Sequence, residues 1–426
     1  MAGSSAPSLR RKLGVTGAMF IGLGSMIGAG VFSAFAPATH TAGALVLLSL
    51  SIAAVIAFLN AMSSAQLARV YPTSGGTYAF GRNVLGPWWG FVAGWSFVIG
   101  KTASAAAIAL TFAAYFAPEQ WQKPLAMGVV ALFTLVNLRG ITRTAQVAAV
   151  LVAPVLVVLV AAAIFNFVSP PAVSTGFEGQ VNAYGVLQAA GLLFFAFAGY
   201  ARIATLGEEV VNPARTIRRA IVLSLSIVFV LYFTFGASLL WVLGPEALAQ
   251  STQPALDAVQ AAGASWAAPL VLIAVGLAAL GSLLALIAGM SRTVFAMARE
   301  HDLPHTLSAV SERFNVPHRA ELVVGLVVIL VLFFADLRGA IGFSSAGVLL
   351  YYFITNVSAW RQPAAERMYP RWVPICGAVF CVAAIVTLPL TSLAIATGVV
   401  AVGVVYRIVF RTLQSRQTGA PHSRDK

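Results

Sequence analysis

Apolar residues run along this chain in long blocks, separated by short segments rich in charge, Pro and Gly, with little of the polar alternation that a soluble sheet or surface helix would show. Most blocks are long enough to cross a bilayer as a helix. Twelve can be marked, at roughly 13–38, 43–67, 88–116, 124–138, 144–168, 184–207, 220–243, 269–298, 320–335, 338–360, 372–390 and 391–412, of which the fourth and ninth are short. The pattern predicts an all-α polytopic membrane protein of twelve transmembrane helices.

Two blocks depart from a plain helix. The first contains "GLGSMIGAGVF", Gly22 to Phe32, in which Gly22, Gly24, Gly28 and Gly30 crowd the middle of the span. In hydrocarbon every backbone N–H and C=O needs a partner, so glycines that loosen a helix are tolerated only where protein or water lines the break. The residues leave two readings open: a break that forms a binding site, or small residues that let two helices pack closely. A helix restarting near Gly28 would aim free N–H groups and a positive dipole end at an anionic group. The sixth block reads "LLFFAFAGYARIATLGEE", with Gly199 in mid-membrane and Arg202 three residues on. Two interrupted helices five spans apart point to an inverted repeat with a site between its halves, which favours the break. A dinucleotide fingerprint is excluded, because Gly22, Gly24 and Gly28 miss the GxGxxG spacing and no βαβ context surrounds them.

Composition agrees with the blocks: 59% of residues are hydrophobic and 9% charged, too little polar surface for a soluble chain of this length. A net charge of +13 would suggest nucleic acid in a soluble protein, so its distribution decides the matter. If the N-terminus is cytoplasmic, all 26 Lys and Arg except Lys101, Lys123, Arg202 and Arg338 fall on the cytoplasmic side. This is the positive-inside bias, which places both termini in the cytoplasm and leaves no case for nucleic acid. No cleavage site follows the first span, so no removed signal peptide is expected. Cys376 and Cys381 read as small packing residues, and His301, His305 and His318 as solvated loop histidines, so no metal is expected. With no His, Asp or Glu cluster at membrane depth, an enzyme is not expected, nor any catalytic residue or cofactor. The connection 69–82 reads as a structured connector in which Pro72, Gly75 and Gly76 rule out a continuous helix, Asn212-Pro213 as the turn that starts the seventh span, and 244–268 as a lid.

Four segments, in this order and at these span positions, resemble the amino acid–polyamine–organocation superfamily of transporters: "GSMIGAGVF", "PTSGGTYAF", "GEEVVNPARTI" and "SRTVFAMAREHDLP". The resemblance implies a five-plus-five inverted-repeat fold of the LeuT type, with helices 1 and 6 unwound at the substrate. On that basis residues 1–12 would form a cytoplasmic arm, 13–360 the ten-helix transport core, 361–412 two additional helices and 413–426 a cytoplasmic tail. It further implies that the N–H groups of Gly28, Ala29 and Gly30 hold a substrate carboxylate, and that the carbonyls of Met26, Phe195 and Ala198 take its ammonium. Phe195 matches the aromatic that covers the substrate in relatives, and its alternative is an ordinary core phenylalanine. Ser282 aligns with a sodium-like position, but one hydroxyl is no case for sodium.

The chain departs from the resemblance at three places. Ala201 stands where members carrying cationic amino acids have an acidic residue, Ala153 where proton-coupled members have a lysine, and Lys101 instead lies in span three, facing the substrate. A charge at bilayer centre costs roughly 2.5–3.5 kcal/mol on insertion scales, so Lys101 and Arg202 are not idle. Lys101 is expected to exchange a proton and couple it to substrate movement; the alternatives are direct contact with an anionic substrate group, or satisfaction of backbone carbonyls freed by the breaks. Arg202 is expected to brace such carbonyls or to reach Glu208. The function expected is a secondary amino acid transporter of the plasma (inner) membrane, proton-coupled and working by alternating access on a neutral or anionic substrate. Its partners would be the amino acid, protons and the lipid bilayer. The alternatives are an amino acid/polyamine exchanger without proton coupling and a non-transporting sensor on the same fold.

Overall fold

The computed structural model describes residues 13–71, 75–140, 145–172, 182–206, 209–314 and 316–418. Glu208, the arm 1–12 and the tail from 419 onward lie outside the described residues, as does part of "PTSGGTYAF". Among the described residues there is no strand, and helices follow one another in the order α1 Val15–Met26, α2 Gly30–Ser33, α3 Phe35–Ala42, α4 Val46–Val70, α5 Gly76–Leu85, α6 Pro87–Phe116, α7 Glu119–Leu138, α8 Ala145–Val168, α9 Ala183–Phe197, α10 Ala201–Ala204, α11 Pro213–Gln250, α12 Pro254–Ala261, α13 Ala268–Arg299, α14 His318–Phe334, α15 Leu337–Arg361, α16 Trp372–Thr387 and α17 Leu390–Thr418.

Ten stretches among the described residues are long and apolar enough to cross a membrane. The expected ninth and eleventh spans are α14 and α16, of 17 and 16 residues, below the length of an ordinary crossing. The chain is therefore a multi-pass membrane protein. The fourth span is longer than expected: α7 starts at Glu119 directly after Pro118 and carries Pro124 inside it, giving 20 residues. The turn at Asn212-Pro213 is as expected, with Asn212 in the left-handed region (φ 52°) and Pro213 at the first position of α11. Gly244 (φ 72°) then kinks α11 before its last turn.

At the centre α6 crosses α15. Their backbones meet at Gly100 and Gly347, where a Cβ on Gly347 would lie 2.8 Å from the Gly100 Cα. Contact this close is what small residues provide when lipid gives helices no hydrophobic reason to associate. It also sets the next residue, Lys101, deep in the molecule at 8% exposure.

The loop after the second span holds a ten-residue helix, α5, which the Pro and paired Gly of that loop did not announce. Its Thr77 N–H donates to Tyr351 Oη (3.0 Å) on α15. Its Tyr78 Oη donates to Asp302 Oδ2 (2.9 Å), and Arg82 pairs with the same carboxylate (3.2 Å) and with Glu300 (2.9 Å). Burial and the neighbouring Asp302 push the Tyr78 hydroxyl up from its usual range, so it stays protonated and donating. Asp302 follows His301, which ends α13 in the left-handed region (φ 57°), and its side chain is fully enclosed. The opposite side of Asp302 takes Arg407 of α17 at 3.0 Å. Arg407 also donates to the Pro87 carbonyl (2.7 Å) and lies over the rings of Trp88 (4.5 Å) and Phe91 (4.7 Å). Helix α17 is mostly exposed along its apolar length, so this polar attachment, with Trp95 Nε1 donating to the Val399 carbonyl (2.9 Å), carries weight that apolar packing does not. On the same face Leu13 and Val210 form an isolated parallel bridge, joining the chain just before the first span to the chain just after the sixth.

Candidate functional site

The first span is interrupted where its glycines pointed. Helix α1 stops at Met26, and Ile27 (φ −79°, ψ 74°) turns the chain in an inverse γ-turn whose Gly28 N–H donates to the Met26 carbonyl (2.8 Å). Helical geometry resumes at Gly30 and is carried into α3 by Ala34 N–H to Gly30 O (2.9 Å) and Ala38 N–H to Ala34 O (3.2 Å). Two helices thus replace one, and the N–H groups of Ala29 and Gly30 have no backbone acceptor among the described residues.

The sixth span behaves differently from the expectation. It is tightened rather than opened: α9 gives way at Ala198–Tyr200 to a 3₁₀ turn, and α10 follows at once. The turn keeps the Ala198 N–H on the Phe195 carbonyl and the Ala201 N–H on the Gly199 carbonyl, which an extended segment would forfeit in an apolar surround. Gly199 sits against the Ser25 carbonyl and the Met26 amide, where any Cβ would collide. A Cβ on Gly30 would lie 2.8 Å from Ala196 Cα and 3.4 Å from Phe195 Cδ1, so Phe195 lies beside the restart of the first span. The helix therefore breaks at its glycines, and the break is packed closely against its counterpart.

Lys101 reaches this junction from α6, and its Nζ donates to the Ala198 carbonyl at 3.5 Å. No ion pair among the described residues includes it. Met26, Gly28, Ala29, Gly30, Phe195, Ala198 and Lys101 are thereby gathered in one place. Sequence reasoning missed two tyrosines there. Tyr232 of α11 donates through Oη to the Met26 carbonyl (2.7 Å), and Tyr352 of α15 donates to the Ala198 carbonyl (3.5 Å) with Tyr200 stacked on it at 5.0 Å. The available signal was a hydroxyl in mid-span, which must find a partner when buried.

Arg202 stands one turn beyond the 3₁₀ segment and donates to Thr205 Oγ1 (3.3 Å), not to a carbonyl of the break. Ser282 lies beside Gly28, but its hydroxyl donates to Ala279 O within its own helix (3.0 Å). On the side of the break away from Leu13, Phe32 meets Tyr115 and Phe235 edge to face (6.4 and 6.5 Å). Tyr115 Oη donates to the Phe32 carbonyl (3.2 Å) and accepts from the Ala255 N–H (3.2 Å), which docks α12 of the 244–268 connection onto this aromatic layer. Two acidic residues are buried outside the middle of any span: Asp302 in the connection after α13, and Glu321 in the first turn of α14. His301 and His305 stack on each other at 5.6 Å, and among the described residues no group of His, Cys, Asp or Glu has the arrangement of a metal site.

Comparison with known proteins supplies the family. The profile of the amino acid permease family matches residues 13–410. An uncharacterized transporter of Mycobacterium tuberculosis is 52% identical over 417 residues, covering 96% of this chain and 94% of its own. A branched-chain amino acid permease of Bacillus subtilis is 30% identical over 346 residues, covering 74% of this chain and 73% of its own. Human cationic amino acid transporter 4 is 28% identical over 373 residues, covering 81% of this chain and 58% of its own. With a break in the first span, a tightened turn facing it in the sixth and a family profile that runs from Leu13 to Phe410, the chain belongs to the amino acid permeases of the amino acid–polyamine–organocation superfamily.

Proposed function

We propose that this protein is a secondary transporter that carries an amino acid by alternating access, with the substrate held between the first and sixth spans near the membrane midplane. The observation that carries the reading is the junction itself. Free N–H groups at Ala29 and Gly30 start a helix and suit a carboxylate, while the carbonyls of Met26, Phe195 and Ala198, at the C-terminal ends of α1 and α9, suit an ammonium. Phe195 covers the restart and serves as the gate. The core is a five-plus-five inverted repeat over 13–360, followed by two additional helices, with α14 and α16 counted as short crossings to make twelve. Both termini are cytoplasmic and the membrane is the plasma membrane, as the distribution of Lys and Arg supports.

Lys101 takes the part of proton carrier. It is buried at the junction, unpaired with any carboxylate among the described residues, and faced by the hydroxyls of Tyr352 and Tyr200, with Arg202 one turn away. The preferred substrates are neutral or anionic, because Ala201 offers a cationic side chain no counter-charge. Purified protein in proteoliposomes, assayed with labelled amino acids under an imposed pH gradient, tests this. Wild type is expected to accumulate substrate with the gradient and Lys101→Met to lose that dependence. Gradient-independent uptake by wild type, accelerated by unlabelled amino acid inside, would make the protein an exchanger.

A further inference from the structure

At the junction the carbonyls of Met26 and Ala198 are each occupied by two donors, while two backbone N–H groups stand unused among the described residues. A carbonyl oxygen offers two lone pairs, and an ammonium brings three N–H donors that each need one. The Met26 carbonyl already accepts from Tyr232 Oη (2.7 Å) and from the Gly28 N–H (2.8 Å). The Ala198 carbonyl already accepts from Lys101 Nζ and Tyr352 Oη, each at 3.5 Å. The Phe195 carbonyl holds the Ala198 N–H. The N–H groups of Ala29 and Gly30 stand without backbone acceptors among the described residues.

We infer that Lys101 is a built-in occupant of the amino-group subsite, so that the junction offers its free donors to a carboxylate lacking an α-amino group, and an amino acid gains the Ala198 carbonyl only by displacing the lysine nitrogen. The inference rests on the transporter reading given above and deepens it by naming a second ligand class, des-amino carboxylates. A carboxylate needs donors alone, and Ala29, Gly30 and the remaining hydrogens of Lys101 Nζ supply them. To reach the Ala198 carbonyl an amino acid has to displace one of its two present donors. Their long distances mark that carbonyl as the one that can be released, whereas the shorter bonds on Met26 hold. The structure thus predicts a ranking by functional group: carboxylate without amine first, amino acid second, amine without carboxylate last.

The test uses two sets of probes on the purified full-length protein: alanine with propionate and ethylamine, and leucine with 4-methylpentanoate and 3-methylbutylamine. Affinity is read by thermal stabilisation and by competition against labelled amino acid. In at least one set the des-amino carboxylate is expected to bind wild type as tightly as its amino acid or tighter. In Lys101→Met the carboxylate is expected to weaken by about tenfold relative to its amino acid, the worth of one hydrogen bond to a charged group. Because the wild-type ranking can overturn the inference by itself, a variant that fails to fold leaves it exposed. Amino acid binding with no des-amino carboxylate binding in any set overturns the inference and leaves the transporter reading standing. Carboxylate binding with no amino acid transported supports the inference and removes the amino acid reading. Absence of binding by every probe, or a Lys101→Met ranking identical to wild type, also overturns it.

Discussion

The Tyr232 hydroxyl is buried at bilayer depth, and its partner there is a backbone carbonyl that a helix break has released. A sequence reader meets it inside "VLYFTF", where an aromatic at helical spacing reads as packing, so its role was not legible. Tyr352, within "LLYYFIT", was hidden in the same way. Lys101 was legible because a charge in an apolar run is costly and cannot be overlooked. What sequence could not decide is which of its three readings applies, since that depends on which carbonyl lies in reach. Its contact with Ala198 matches the satisfaction of a freed carbonyl and sets it where a substrate group would compete. Tyr232→Phe is expected to lower stability by about 1 kcal/mol, the net worth of a hydrogen bond, measurable by thermal unfolding in detergent. An unchanged unfolding temperature would show that Met26 does not depend on this hydroxyl.

Among elements, the break in the first span was legible from four glycines within nine residues, and the structure interrupts the helix at Ile27–Ala29. The sixth span has a single glycine, Gly199, at its interruption, and it turns more tightly instead of opening. Gly199 is used for close approach to Ser25, so Gly199→Ala is expected to push α1 away from the 3₁₀ turn and lower the maximal rate of uptake severalfold. Uptake at the wild-type rate by that variant would mean that the contact is slack. Helix α5 was not legible because Gly75 and Gly76 sit at its start, where they end a turn, rather than in its interior. Asp302 was hidden for a related reason: "REHDLP" reads as a solvated loop, and only the left-handed residue His301 folds it back beneath α5.

For the whole molecule, the Asp302 cluster ties the end of α13, the loop helix α5 and the peripheral helix α17 into one body. Removing one partner of a buried charged set leaves the others uncompensated and costs on the order of 3–5 kcal/mol. Asp302→Ala is therefore expected to lower the unfolding temperature markedly, while the paired change Asp302→Leu with Arg407→Met recovers part of the loss. Equal losses in the single and paired variants would show that the ion pair is not what holds α17. The ten long apolar stretches were legible as blocks and so was the shortness of α14, whereas the shortness of α16 was not, because residue counts do not say where a helix ends. The central claim is that an amino acid is carried at the junction of the two interrupted spans, where Gly30 faces Ala196 at a distance that leaves no room for a side chain. Uptake of labelled amino acids by proteoliposomes holding wild type or Gly30→Val protein tests it most directly. The account predicts saturable uptake by wild type and none by the variant, with both proteins eluting as folded species. Saturable uptake by Gly30→Val at the wild-type rate would contradict it.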